Sequence, residues 1–237
     1  SWAPGFANNI QSYDKDQAYV EGTAGQYLWM VPFNLKTLAD LMGGTDIAAQ
    51  RLDKFFTKLN VGDEGPDAWM AWMGNEPCLE TPWEYCFFGQ PYKTQSTVRR
   101  IMMKLFSSTD RAYPGNDDVG EMSSWYVFAA LGMYPELPGS DVLVLGSPLF
   151  PKAVLHLPNG IVTITGTDAG KTAPYVQGLT VNGKVWSKPW IRYADVSNGG
   201  RLIYNLGSAP NKNWASDPAD APPSYSERMT HATSNHK

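Results

Sequence analysis

The chain has 237 residues, a formal net charge of -4 and charged side chains at 18% of its positions. This length suffices for a substantial core, and the charge balance argues against a nucleic-acid-binding protein, which needs a basic surface. The 9 Trp, 12 Tyr and 9 Phe residues suit either a packed core or a sugar-binding cleft. No apolar run approaches the ~20 residues that a membrane span requires. Cys78 and Cys86 are too few for a disulfide scaffold, although one bridge between them stays open.

Helical spacing of apolar residues dominates the first part of the chain. After Leu35, the segment TLADLMGG predicts a short amphipathic helix that ends at the paired glycines. Thr45 is predicted to cap the next helix, DIAAQRLDKFFTKLN. Thr81-Pro82 predicts a helix start before WEYCFFG, and QSTVRRIMMKLF predicts a further helix. The last helix is predicted over 121–131, where Gly132 follows as its stop.

The pattern changes near Asp141 to short β segments separated by turns. The segments are DVLVLG, AVLHLP, NGIVTITG, VQGLTVNGKVW and RLIYNLG. Asn159-Gly160 and Asn182-Gly183 predict hairpin turns. From about 217 the composition is rich in Pro, Ala and Ser and indicates a tail. We therefore predict three regions: 1–140 helical, 141–216 β-sandwich strands and 217–237 tail.

Four Gly- or Pro-bearing loops carry polar residues that periodicity does not explain. They are YVEGTAGQYLWMVPFN (19–34), MGNEPCLETPWEY (73–85), GQPYKTQ (89–95) and YPGNDDVGEMSSW (113–125). If these loops gather at one end of a helical bundle, they form a carboxylate-lined pocket. Glycoside hydrolysis needs one protonated and one ionised carboxyl group, and a calcium ion binds carboxylate, amide and carbonyl oxygens.

Together these loops resemble glycoside hydrolase family 92, the calcium-dependent exo-α-mannosidases. The same order of motifs continues through PGSDVLVLGSPLF, LTVNGK and PNKNW, so the resemblance covers roughly residues 19 to 214. It implies an α+β multidomain fold, in which part of an (α/α)6 helical catalytic barrel is followed by β-sandwich strands. It also implies that this chain corresponds to the C-terminal portion, with an N-terminal sandwich and early barrel helices as its partner segment.

The resemblance assigns roles to individual residues. Glu21 matches the general acid and Asp118 the general base of an inverting hydrolysis of terminal α-mannosides. Asn116 stands where a second acidic residue often precedes that base. Asn75 and Glu76 match the turn that binds Ca²⁺, and an inverting pair of carboxyl groups lies roughly 6.5–9.5 Å apart.

The remaining candidates are substrate contacts near these loops. They are Gln26, Trp29, Cys78, Glu80, Thr81, Trp83 and Asp117. Core packing is the alternative for both tryptophans and for Cys78. A helix cap is the alternative for Asp117, since a carboxylate at a helix N-terminus interacts favourably with the helix dipole.

The segment Cys78-Leu79-Glu80-Thr81 departs from the common family pattern of a Ser and histidines. It resembles a bacterial branch that removes mannose from mannose-α-1-phospho-6-mannose. A phosphodiester leaving group needs little protonation, so that branch replaces the acid with Gln, whereas Glu21 is present here. An alternative is that Gln26 faces the leaving group instead.

Two other functions stay open at this point. The chain could be a non-catalytic carbohydrate-binding remnant, or another (α/α)6 glycosidase such as a glucosidase. The substrate class in the leading hypothesis, a mannose-containing glycan, indicates a secreted, periplasmic or cell-surface location.

Overall fold

The computed structural model describes residues 19–110, 112–170 and 172–224. Helices occupy the first part of this range and strands the second, so the α+β class that the sequence predicts is confirmed. The predicted regions at 1–18 and 225–237 lie outside the described residues. Within the described part of the chain, no helix is both long and apolar enough to cross a bilayer.

The structure describes five α-helices. The second, third and fourth are amphipathic, whereas the fifth is apolar without a distinct polar face. Their bounds are α1 Ala24–Tyr27, α2 Leu35–Met42, α3 Thr45–Phe55, α4 Pro91–Leu105 and α5 Glu121–Leu131. Helix α5 ends where predicted, because Gly132 adopts the left-handed conformation with φ 79°. A Cβ at that glycine would lie 2.6 Å from the backbone nitrogen of Pro148, so a larger residue does not fit there.

Two predicted helix starts differ in the structure. Gly44 is the N-cap of α3 and makes no side-chain cap, so Thr45 lies inside the helix rather than before it. The predicted helix after Thr81-Pro82 is a 3₁₀ helix, Thr81–Cys86, in which every residue is buried. An aromatic segment buried on all sides is held by tertiary packing, which overrides local propensity. Further 3₁₀ turns occur at Pro32–Asn34, Glu76–Cys78, Asp118–Gly120, Tyr193–Asp195 and Pro218–Asp220.

The strands form two sheets. Their bounds are β1 Met133–Tyr134, β2 Val142–Leu145, β3 Lys152–Leu157, β4 Gly160–Thr167, β5 Tyr175–Val181, β6 Lys184–Val185, β7 Trp190–Arg192 and β8 Gly200–Gly207. The smaller sheet has the order β1-β2-β7 and the larger one β3-β4-β8-β5-β6, with β4 and β8 parallel. The first strand thus precedes the change that the sequence predicts near Asp141.

Both predicted hairpins are present. Strands β3 and β4 pair antiparallel with Leu157 opposite Gly160, and β5 and β6 pair with Val181 opposite Lys184. In the second hairpin, Asn182 and Gly183 have φ 50° and 79°, as a tight turn with two left-handed residues requires. In the first hairpin the turn lies one residue earlier than predicted, at Pro158-Asn159, because Gly160 is already in β4.

Helix α4 joins the helical part to the larger sheet. Its Gln95 side chain accepts a hydrogen bond from the Val176 N–H at 3.0 Å. Arg99, which is 4% exposed, donates to the carbonyl oxygen of Pro148 at 2.8 Å and also to that of Gly170. A buried guanidinium that donates to backbone carbonyls fixes the loops at the edge of the sheet.

The segment predicted as a tail packs on the protein as far as it is described. The indole of Trp190 donates to the carbonyl oxygen of Asp220 at 3.0 Å, and Ser224 is 7% exposed and bonded to Asn34. Residues 217–224 are therefore part of the folded structure, which corrects that part of the prediction. The half-buried indole of Trp190 and side-chain amide oxygen of Asn34 hold this Pro-rich segment, and its composition alone does not reveal these partners.

Candidate active site

The loop at 19–23 and the turn at 74–78 contact each other directly. The amide nitrogen Nδ2 of Asn75 donates to the carbonyl oxygen of Glu21 at 2.6 Å, and Asn75 is 8% exposed. Glu21 has φ 49°, a left-handed conformation that is uncommon for a residue with a side chain. Its carboxyl-bearing side chain is exposed on the same loop. The predicted acid thus sits on a strained backbone that Asn75 holds in place.

Asn60 joins the second loop to the third. Its Nδ2 donates to the carbonyl oxygen of Pro114 at 2.8 Å, and its Oδ1 accepts from the Gly74 N–H at 2.9 Å. The two loops are in such close contact that a Cβ at Gly115 would lie 2.1 Å from the Gly74 carbonyl oxygen. Loops 19–23, 74–78 and 113–121 therefore form one cluster, as the sequence predicts.

Asp118 lies at the exposed tip of the third loop. Val119, which follows it, has φ 54° and is fully exposed. A β-branched residue in the left-handed region is an outlier, and such strain is concentrated at functional sites. The strained backbone positions of this cluster thus include Glu21 and the residue after Asp118. Asn116 is exposed on the same loop.

Four carboxyl groups share the neighbourhood of this cluster. Burial raises the pKa of Glu121, and the negative charges of Glu76 and Asp118 raise it further. Burial also raises the pKa of Glu80 to about 7, and the charge of Glu121 acts in the same direction. Glu80 is therefore partly protonated at neutral pH and can donate a hydrogen bond.

The turn Asn75–Glu76 offers oxygen ligands to a hard cation. Because Asn75 donates through Nδ2, its Oδ1 remains an acceptor, and the adjacent Glu76 supplies a carboxylate. The unbalanced negative charge of Glu76, Asp118 and Glu121 also suits a dication. Across 19–110, 112–170 and 172–224, no group of three His, Cys, Asp or Glu side chains forms a complete metal site. These two residues fit Ca²⁺ provided that water, carbonyl or substrate oxygens complete the coordination.

Comparison with known proteins identifies the family. A protein-family model, described as the glycosyl hydrolase family 92 catalytic domain, matches residues 1–208 of this chain. The chain belongs to glycosyl hydrolase family 92.

Several solved family 92 structures resemble this chain. It is 32% identical to a family GH92 α-mannosidase from Bacteroides thetaiotaomicron, with a TM-score of 0.80 over 86% of this chain and 28% of that one. It is 33% identical to a family GH92 inverting mannosidase from the same species, with a TM-score of 0.78 over 88% of this chain and 30% of that one. A relative from Arthroderma benhamiae, named an uncharacterized secreted glycosidase, is 28% identical over 93% of this chain and 28% of its own length. The chain thus spans less than a third of the length of these relatives.

Five of the predicted substrate contacts in this family 92 chain are core residues instead. Trp29, Cys78, Thr81 and Trp83 are at most 2% exposed, and Gln26 is 1% exposed. Trp83 is stacked on Tyr134 with the ring centroids 5.2 Å apart. The two cysteines are free thiols, and burial raises the pKa of each to about 12. The side chains of these five residues are therefore packed inside the part of the chain that the structure describes.

Asp117 is also corrected from substrate contact to helix cap. Its carboxylate accepts from the Ser123 N–H at 2.9 Å and from the Ser123 hydroxyl at 2.5 Å. These hydrogen bonds hold its pKa below the ordinary value. Of the paired aspartates, Asp118 is therefore the more exposed one.

Gln26 is a structural residue that holds three segments together. Its Oε1 accepts from the Thr23 N–H at 3.1 Å, which completes a capping box at α1. Its Nε2 donates to the carbonyl oxygens of Gly62 and Met70 at 2.8 and 3.2 Å. With its amide engaged on both sides, it has no group to offer a leaving group.

Replacing Gln26 with Ala is expected to lower the free energy of unfolding by about 2–3 kcal/mol, because buried backbone groups lose their partners. Denaturant unfolding of the complete protein measures this loss. Gln177→Ala is the matched control, since Gln177 is exposed although it donates to Ala209. A Gln26 variant with unchanged stability and a raised KM would contradict the structural role.

Proposed function

We propose that the protein is an inverting exo-α-mannosidase that acts on terminal α-mannosyl residues of glycans. The observation that carries the proposal is the hydrogen bond from Asn75 to Glu21, because it joins the predicted acid to the predicted calcium turn. Membership of family 92 and the printed names of two similar structures support the substrate class. The name of the fungal relative supports a secreted location.

The proposed chemistry uses two carboxyl groups on opposite sides of the sugar ring. Glu21 protonates the oxygen of the leaving group as the glycosidic bond breaks. Asp118 takes a proton from the attacking water, which enters from the other face and inverts the anomeric configuration. Asn116 orients this water with its side-chain amide where relatives of this type carry a second carboxylate.

Asn75 and Glu76 would hold the calcium ion through side-chain oxygens. A bound Ca²⁺ supplies charge that binds and orients sugar hydroxyl groups. Asn75 would then bind the ion through Oδ1, while its Nδ2 donates a hydrogen bond to the carbonyl oxygen of Glu21.

Removal of calcium from the complete protein with EDTA is expected to lower kcat/KM on an α-mannoside about 10²-fold or more, with recovery on addition of Ca²⁺. The assay follows release of mannose, and Glu76→Gln is expected to shift the calcium dependence to higher concentration. Asp40→Asn, an exposed substitution on α2, is the matched control. Full activity in EDTA would contradict the proposal and favour another type of helical-barrel glycosidase.

We propose further that the leaving group includes a mannose-linked phosphodiester. Glu80 supports this because its carboxyl, with a pKa of about 7, donates a hydrogen bond to an anionic oxygen when it is protonated. An ordinary mannoside offers no such anion. Binding of mannose without any hydrolysis by the complete protein would instead indicate a carbohydrate-binding function.

A further inference from the structure

Two buried carboxyl groups have no role in the chemistry above. Glu84, in the 3₁₀ segment Thr81–Cys86, is 0% exposed, and Glu136, just after β1, is 1% exposed. Both carboxyl oxygens of each residue have no hydrogen-bond partner. The Thr81 hydroxyl and the Trp83 indole N–H, on the same 3₁₀ segment, also have none. Buried polar groups are normally satisfied, so this cluster requires an explanation.

The two carboxyl groups come from segments that pack side by side. Trp83 precedes Glu84 and is stacked on Tyr134, two residues before Glu136, with an interplanar angle of 8°. The stack of Trp83 on Tyr134 therefore brings the backbone of the 3₁₀ segment beside the chain that leads to Glu136, and both carboxyl groups are buried there. Two unpaired acids thus lie inside the core. One is on the 3₁₀ segment, and the other is two residues after the end of β1.

Carboxylates outnumber cations around this pair, and Arg192, which lines a cavity together with Glu136, is paired with Asp141. Glu80 acts on both acids from the start of the segment, and Cys78 and Cys86 lie within the reach of their charges. Tyr134 faces Glu80, Glu121 and Glu136. Burial is the largest cause that raises the pKa of both Glu84 and Glu136, and the neighbouring carboxylates add to it. A buried carboxyl group whose oxygens accept no hydrogen bond keeps its proton.

We propose that Glu84 and Glu136 form a pH-sensitive latch, in which two neutral carboxylic acids let the segments 81–86 and 133–136 stay packed. Loss of either proton places an unpaired charge in the core and separates the two segments. This inference goes beyond the proposed catalysis, because it concerns stability and is measured without a substrate.

The sign of the pH dependence follows from proton linkage. The pKa of each group is raised in the folded chain above the ordinary value of 4.5. The stabilisation is therefore complete below that pH and is lost as the pH rises toward the folded-state pKa. As the pH rises through this window, the folding equilibrium constant falls about tenfold per pH unit for each group. The reason is that the unfolded chain releases a proton that the folded chain keeps.

The experiment compares the complete protein with Glu84→Gln, Glu136→Gln and the double variant. Denaturant unfolding is measured from acidic to mildly alkaline pH and is followed by tryptophan fluorescence. In each single variant, we expect the folding equilibrium constant to fall less steeply with pH than in the wild type, by a factor of about ten per pH unit. In the double variant this factor is about 100 per pH unit. Asp40→Asn, which changes an exposed carboxylate, keeps the wild-type dependence.

Two results would overturn the latch. One is an identical pH dependence in the wild type and the double variant. The other is a destabilisation by EDTA that the Glu76→Gln variant retains and the double variant loses, which would mean that the pair holds a cation. If the Gln variants fail to fold, infrared spectroscopy of the wild type at neutral pH decides. The spectrum is followed to a pH at which Glu80, with its pKa of about 7, has ionised: a band from buried protonated carboxyl groups that persists there supports the latch, and its absence rejects it.

Discussion

Replacing Asp118 with Asn is expected to lower kcat about 10²–10⁴-fold, the range that loss of a general base produces. The amide has the shape of the carboxylate but does not accept a proton from water. Since Asp118 lies exposed beside the strained Val119, the substitution leaves no buried group unpaired. Binding of a mannose-like inhibitor, measured by calorimetry, is expected to stay nearly unchanged.

Asp117 provides the internal control, because it is adjacent in sequence but engaged with Ser123. Asp117→Ala is expected to lower the midpoint of denaturant unfolding, as loss of a hydrogen bond to a helix N-terminus does, while turnover persists. The reverse outcome, with an inactive Asp117 variant and an active Asp118 variant, would exchange the two assignments. Activity in both would place the base elsewhere.

The sequence is most informative where chemistry and backbone geometry coincide. The hairpin at Asn182-Gly183 and the end of α5 at Gly132 follow from residues that tolerate left-handed conformations. The gathering of the three loops also follows from their motifs. The residue that fastens two of them, Asn60, has no signal in its own neighbourhood, because its partners are 14 and 54 positions away.

Burial is the property that the sequence predicts least well at this site. Gln26 and Trp83 stand beside motif residues and read as pocket walls, yet both are in the core. A 3₁₀ segment buried on every side has no periodicity that separates an inner from an outer face. Glu84 and Glu136 show the same limit more strongly, since charged side chains are almost never fully buried unless they are paired.

Replacing Glu21 with Gln is expected to separate two kinds of substrate. With an α-linked dimannoside, kcat/KM should fall about 10²–10⁴-fold, because a sugar alkoxide leaves only with a proton. With mannose-α-1-phospho-6-mannose the loss should be less than about tenfold, because the departing group is mannose 6-phosphate, a stable phosphate monoester anion. The measurement is kcat/KM for each substrate with the complete protein at saturating calcium.

The substrate pair distinguishes an acid from a merely structural residue. Glu21 also shapes the site through its backbone carbonyl, which accepts from Asn75, and this contact persists in the Gln variant. A general loss of structure would therefore lower both activities together, and equal losses would reject Glu21 as the acid. Aryl mannosides give a graded version of the same test. In the variant, activity should fall steeply as the leaving-group pKa rises, whereas the wild type should show a shallow dependence, since Glu21 supplies the proton that poor leaving groups need.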